Sequence, residues 1–221
     1  MSKRNTGLFL PGHHTPEAIA EAFWSAPGLP TEHFIGAEVP RLGHGTRDGR
    51  PYTHFALRLF EVAGLRLMDD HPLPGPDDLE LHLGCVLSKL AGQATYLFYD
   101  EENAAGGAAR FADGALVGRV CFDARDTQPV RRDEQGETPL VGLNPSDWIW
   151  KPASEAIEAA AAPLVGPGVR DDDDIAALIE AAGATPIPPP PPRKVSSESS
   201  PDPSKRRRDR LRSRVRGWLR K

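Results

Sequence analysis

The chain has 221 residues, 26% of them charged and 39% hydrophobic, with 23 prolines. That is enough apolar material for one core, and it leaves part of the chain outside that core. No apolar run reaches the roughly 18 residues a membrane helix needs, and the short apolar run near the N-terminus is not expected to be a signal peptide. Cys85 and Cys121 both lie in apolar surroundings, so a disulfide framework is not expected and a reducing cytoplasm fits best. The bias towards Ala, Gly, Pro and Arg suggests a bacterial source.

The formal net charge of −4 conceals an asymmetry. Residues 193–221 carry 12 Lys+Arg against Glu198, Asp202 and Asp209, a balance of +9; residues 1–192 hold 15 basic and 28 acidic groups, or −13. An acidic body therefore precedes a basic tail, a pattern that suggests an anionic partner for the tail.

In chain order, Gly7 to Leu10 reads as a short buried strand. Thr15 is placed to cap a helix whose first residue is Pro16, with Ile19, Ala20, Phe23 and Trp24 on one face. His33 to Val39 reads as a strand, and residues 41–50 as a Gly-rich loop. In residues 52–60, Phe55, Leu57 and Leu59 alternate with Tyr52, His54 and Arg58, which predicts another strand. Asp77-Asp78 open a second helix, where Leu79, Leu83, Val86, Leu87 and Leu90 form a core-facing stripe that Gly92 ends. Tyr96 to Tyr99 is apolar on both faces, as a central strand would be. Asp113-Gly114 marks a hairpin tip that places Phe111 opposite Leu116, with Val120 and Phe122 continuing that face. Residues 124–139 read as a polar loop. Ile157, Ala160, Ala161 and Leu164 predict a third helix cut short by Pro163. Ile175, Leu178, Ile179 and Ala182 predict a fourth, ended by Gly183.

This order predicts an α+β body over residues 1–185: a two-layer, mostly antiparallel sheet with two to four helices, compatible with a split βαβ arrangement. Residues 186–204 read as a disordered Pro/Ser-rich linker, with Pro188 to Pro192 a polyproline II rod. Pro188, Pro191 and Arg193 match the spacing of ligands for aromatic grooves. Five consecutive prolines satisfy that spacing by accident, so a plain spacer is the preferred reading.

Asp171 to Asp174 invite a metal reading. Consecutive helical residues point about 100° apart and cannot converge on one ion, so capping and interaction with the helix dipole are expected instead. No histidine pair has the spacing of a helical zinc site, no nucleophile elbow occurs, and the glycine patterns of phosphate loops are incomplete. No catalytic residue, metal or cofactor is expected. The best anion-binding candidate on the body is the set Arg41, His44, Arg47 and Arg50, where several cations stand among glycines.

The tail, residues 205–221, combines Arg206, Arg207, Arg208, Arg210, Arg212, Arg214 and Arg216 with Leu211, Val215, Trp218 and Leu219. The four apolar residues recur at helical spacing, which gives a narrow apolar stripe on a cationic helix suited to an anionic membrane, a nucleic acid or an acidic protein. The leading expectation is a non-enzymatic cytoplasmic binding or adaptor protein. Its tail attaches an acidic body to an anionic surface, the inner face of the membrane or nucleic acid, and its body contacts a protein partner. The alternatives are a small enzyme acting on an anionic substrate at the Arg41–Arg50 segment, and an inhibitor or immunity-type protein using its acidic body.

Overall fold

The computed structural model describes residues 4–26, 40–56, 61–62, 65–66, 79–100, 104–124, 129–142 and 150–192. The elements in order are β1 (Arg4–Pro11), α1 (Pro16–Trp24), β2 (Arg41–Arg47), β3 (Arg50–Ala56), the short β4 (Glu61–Val62) and β5 (Leu65–Arg66), α2 (Leu79–Ala91), β6 (Gln93–Asp100), β7 (Ala105–Ala112), β8 (Ala115–Asp123), β9 (Val130–Asp133), β10 (Gly136–Pro139), α3 (Trp150–Val165), α4 (Asp172–Ala182) and β11 (Thr185–Pro186). The predicted strand over 33–39, the far half of the 52–60 alternation, Asp77-Asp78 and the whole basic tail fall outside the described residues.

Nine strands form one antiparallel sheet in the order β10-β9-β8-β7-β6-β1-β3-β2-β11, and β4 pairs with β5 alone. β3 lies between β1 and β2 and is antiparallel to both, so β1-α1-β2 is a split βαβ unit. β1 likewise lies between β3 and β6, so β3-α2-β6 is a second unit interlocked with the first. This is the ferredoxin-like arrangement. Hairpins β7 to β10 extend it at one edge, and β11 covers the other.

The sheet carries helices on both faces, giving three layers where two were expected. The central strands decide this, because they are apolar on both sides. Leu8, Leu10, Tyr96 and Phe98 face Ile19 and Phe23 of α1 and Leu83 and Leu87 of α2. Phe9, Leu97 and Tyr99 face Ile157 and Leu164 of α3 and Ile175 and Leu178 of α4. A second apolar face must also be covered, since burial stabilises by about 25 cal/mol per Å² of apolar area.

Several local expectations hold. Thr15 Oγ1 accepts a hydrogen bond from Ala18 N–H at 3.2 Å, with Pro16 opening α1. Asp113 and Gly114 both adopt positive φ, and Phe111 stands opposite Leu116. A β-bulge follows at Val117, where the register slips by one residue. It reverses the alternation, so Cys121 joins the face of Leu116 while Val120 and Phe122 turn towards α3. The expectation that Val120 and Phe122 continue the Leu116 face is thereby corrected.

The segment 124–139 is not all loop: β9 and β10 form a hairpin held by Arg132, which pairs with Asp123 at 3.3 Å and with Glu137. Pro163 does not cut α3 short. It sits exposed in the last turn, and the helix runs on because Leu164 and Val165 are buried against the sheet.

Candidate functional site

Residues 41–50 are not a loop but strand β2 and the turn into β3. Asp48 (φ 49°) and Gly49 (φ 74°) form a two-residue turn with the same Asp-Gly signal as the Asp113-Gly114 hairpin. The glycines that hid the strand have packing reasons. A side chain at Gly43 would collide with the carbonyl of Gly183 behind α4, and one at Gly45 with the ring of Tyr52. Gly43 and Gly45 let α4 and Tyr52 lie close to β2.

The four cations of this segment do not converge. Arg47 and Arg50 are cross-strand partners on the face covered by α3 and α4. Arg47 Nη2 donates to Pro167 O at 3.0 Å, and Arg50 Nη1 donates to Ala162 O at 3.0 Å. Both guanidinium groups thus serve the carbonyl-rich C-terminal end of α3, where a cation also complements the helix dipole. His44 points from the opposite face, and its Nε2 lies 2.6 Å from His14 O. His13 packs against it with ring centroids 5.1 Å apart, and its Nε2 lies 3.0 Å from Gly45 O. Arg41 stands at the far end of β2, about 20 Å along an extended strand from Arg47.

The acids at the start of α4 have structural partners. Asp171 Oδ1 accepts from Asp174 N–H at 3.0 Å, Asp174 Oδ2 accepts from Arg170 N–H at 2.8 Å, and Asp172 Oδ1 accepts from Asn5 Nδ2 at 2.9 Å. Cys121 is buried in the core and Cys85 is half-buried. Among the described residues two imidazoles have a buried Nε2 without a hydrogen-bond partner, the half-buried His82 of α2 and the fully buried His54 of β3. His54 is packed beside Phe9, with ring centroids 4.9 Å apart, and its Nε2 has no hydrogen-bond partner. Burial pushes its pKa down to about 4, against a smaller upward effect of its hydrogen bond to the Thr6 backbone.

Sequence reasoning did not single out a concave feature on the α3 face of the sheet. A groove of about 590 Å³ runs between α3 and the β7–β9 part of the sheet. Ala108, Val120 and Phe122 form its floor, and Pro152, Ala156 and Ala159 form its helical wall. Arg110, Arg131, Asp133 and Glu155 stand at its rim, with Arg131 paired to Asp133 at 2.9 Å. The groove exists because β8 and β9 carry the sheet beyond the width of α3, and the bulge at Val117 aims Val120 and Phe122 into it. Gly118, an isolated glycine within a strand-like run, was the available signal for that bulge. An apolar floor with a mixed-charge rim can bind an apolar or peptide-like group.

No family model matches the chain, and neither curated proteins nor solved structures give a match to it.

Proposed function

We propose that the protein is a non-enzymatic binding or adaptor protein, in which the basic tail 205–221 attaches an acidic body to an anionic surface, a membrane in the first place. The observation that carries this reading is the division of charge: −13 on residues 1–192 against +9 on residues 193–221. A body of that sign is repelled by an anionic surface, so the attraction has to come from the tail. Each basic residue near an anionic bilayer contributes on the order of 1 kcal/mol, and Leu211, Val215, Trp218 and Leu219 can bury one side of a helix in the interface. Arg47 and Arg50 are taken up by carbonyls at the end of α3 while His44 faces the other side and Arg41 stands at the far strand end, which weighs against the alternative of an enzyme acting there on an anionic substrate. The α3–β8 groove is the body's candidate surface for a protein partner. No helix among the described residues is long and apolar enough to cross a membrane.

The test is vesicle binding with the full chain and with residues 1–192, which retain every described contact of the body. The full chain should bind anionic vesicles and lose that binding in high salt, while 1–192 should not bind. Trp218→Ala should weaken the binding strongly. Equal binding to duplex DNA, insensitive to Trp218→Ala, would move the assignment to nucleic acid. Binding to neither would end the tether reading.

A further inference from the structure

The chain does not leave the body at the end of α4. Thr185 and Pro186 pair with Leu42 and Arg41 as an added edge strand, and Ile187 is buried to 2% exposure among α1 and β2 residues of the core. Ile187 N–H donates to Pro40 O at 3.1 Å, and Trp24 Nε1 donates to Pro188 O at 2.8 Å. Residues 184–190 are therefore a strap on the β2–α1 edge, combining strand addition with an indole reading a proline carbonyl.

Three features make this strap separable from the rest. Its one deeply buried apolar side chain is Ile187. Its upstream joint is the exposed pair Gly183-Ala184, with Gly183 at φ 72°. α4 has attachments of its own: Ile175 and Leu178 in the core, Asp172 bonded to Asn5, and Leu178 O accepting from Tyr52 OH at 2.6 Å. Opening the strap does not require α4 to move. The prolines at 186 and 188–190 also hold it near its docked, extended form, which lowers the ordering cost of docking again.

We propose that residues 184–190 form an exchangeable strap, which opens locally and, at high protein concentration, is replaced on the β2–α1 edge by the same segment of a second copy of this chain. The second copy is the occupant with a matching sequence and register. Its Thr185-Pro186 meets Leu42-Arg41, its Ile187 fills the same pocket, and its Pro188 carbonyl meets Trp24. Reciprocal exchange retains every strap contact in both copies and closes a two-fold dimer, so the cost of association and the repulsion between two acidic bodies are what oppose it. The proposal does not depend on what the tail binds.

Hydrogen exchange on the native full chain tests the opening. The Ile187 amide should exchange at least tenfold faster than the amides of Leu8 and Leu97 in the central strands; equal rates would mean that the strap opens only with global unfolding, and would overturn the proposal. Trans cross-linking tests the exchange. Arg41→Cys and Pro186→Cys are placed on separate full chains, with Cys85 and Cys121 replaced by Ala. On mixing and oxidation they should form a hetero-disulfide at least tenfold more than Arg41→Cys does with Gly136→Cys on the opposite sheet edge, and the excess should grow with concentration. No excess at millimolar protein would also overturn it.

Discussion

The imidazole of His54 occupies the space that a side chain at Gly7 would need: a methyl group there would collide with His54 Nε2. Gly7 lies on β1, and His54 reaches over it from the neighbouring strand β3. Gly7→Ala should therefore destabilise the body by about 1–3 kcal/mol, the range for overpacking a tight core. Urea unfolding of Gly7→Ala, His54→Ala and the double variant should show strong non-additivity, because His54→Ala vacates the space that the new methyl group takes.

The same burial sets a pH dependence. In the folded state His54 titrates at about 4, and in the unfolded chain near its ordinary 6.5. Between these values the unfolded state binds the proton and the folded state does not. Stability should therefore be fully present above pH 6.5 and fall as the pH drops towards 4, by about 3 kcal/mol from this group. His54→Leu should remove that part of the slope, which appears in the difference between the two stability-against-pH curves. Superimposable slopes would refute the assignment.

Tyr52 joins β3 to α4 through its hydroxyl, which donates to Leu178 O in a buried setting. Burial raises its pKa, with Arg47 acting in the opposite direction. Tyr52→Phe leaves a buried carbonyl without this donor and should cost about 1–3 kcal/mol. Thermal unfolding should register the loss, and hydrogen exchange should rise first in α4.

Arg50 separates a structural from a ligand-binding role for the β2–β3 hairpin. Its bond to Ala162 O at the end of α3 predicts that Arg50→Glu lowers stability by about 1 kcal/mol through the helix dipole. Inorganic phosphate should leave the melting temperature of residues 1–192 unchanged. A phosphate-dependent rise that Arg50→Glu abolishes would instead establish an anion site there.

Much of the architecture was legible because it rests on local chemistry. Thr15 and Pro16 start a helix wherever they stand, Asp113-Gly114 turns a hairpin, and the stripe around Leu83 and Leu87 must face apolar neighbours. The order of these elements was enough to suggest the split βαβ arrangement. Other features depend on residues far apart in sequence. β2 carries two glycines because α4 and Tyr52 press against it, so its strand character has no alternating pattern of its own. The slip at Val117 sends Val120 and Phe122 to the other face, and with them a groove that no run of residues announces. Arg47 and Arg50 read as free cations until the C-terminal end of α3 arrives beside them. Ile187 and Pro188 read as linker until the β2 edge and Trp24 take them up. The sequence by itself determined the helices and turns, since each depends on neighbours within a few residues, and the charge division, which is a property of composition. Only the tertiary structure decided which face carries the groove, because α3 packs beside a strand from elsewhere in the chain, and which cations are engaged and where the body ends, because those depend on partners more than 100 residues away.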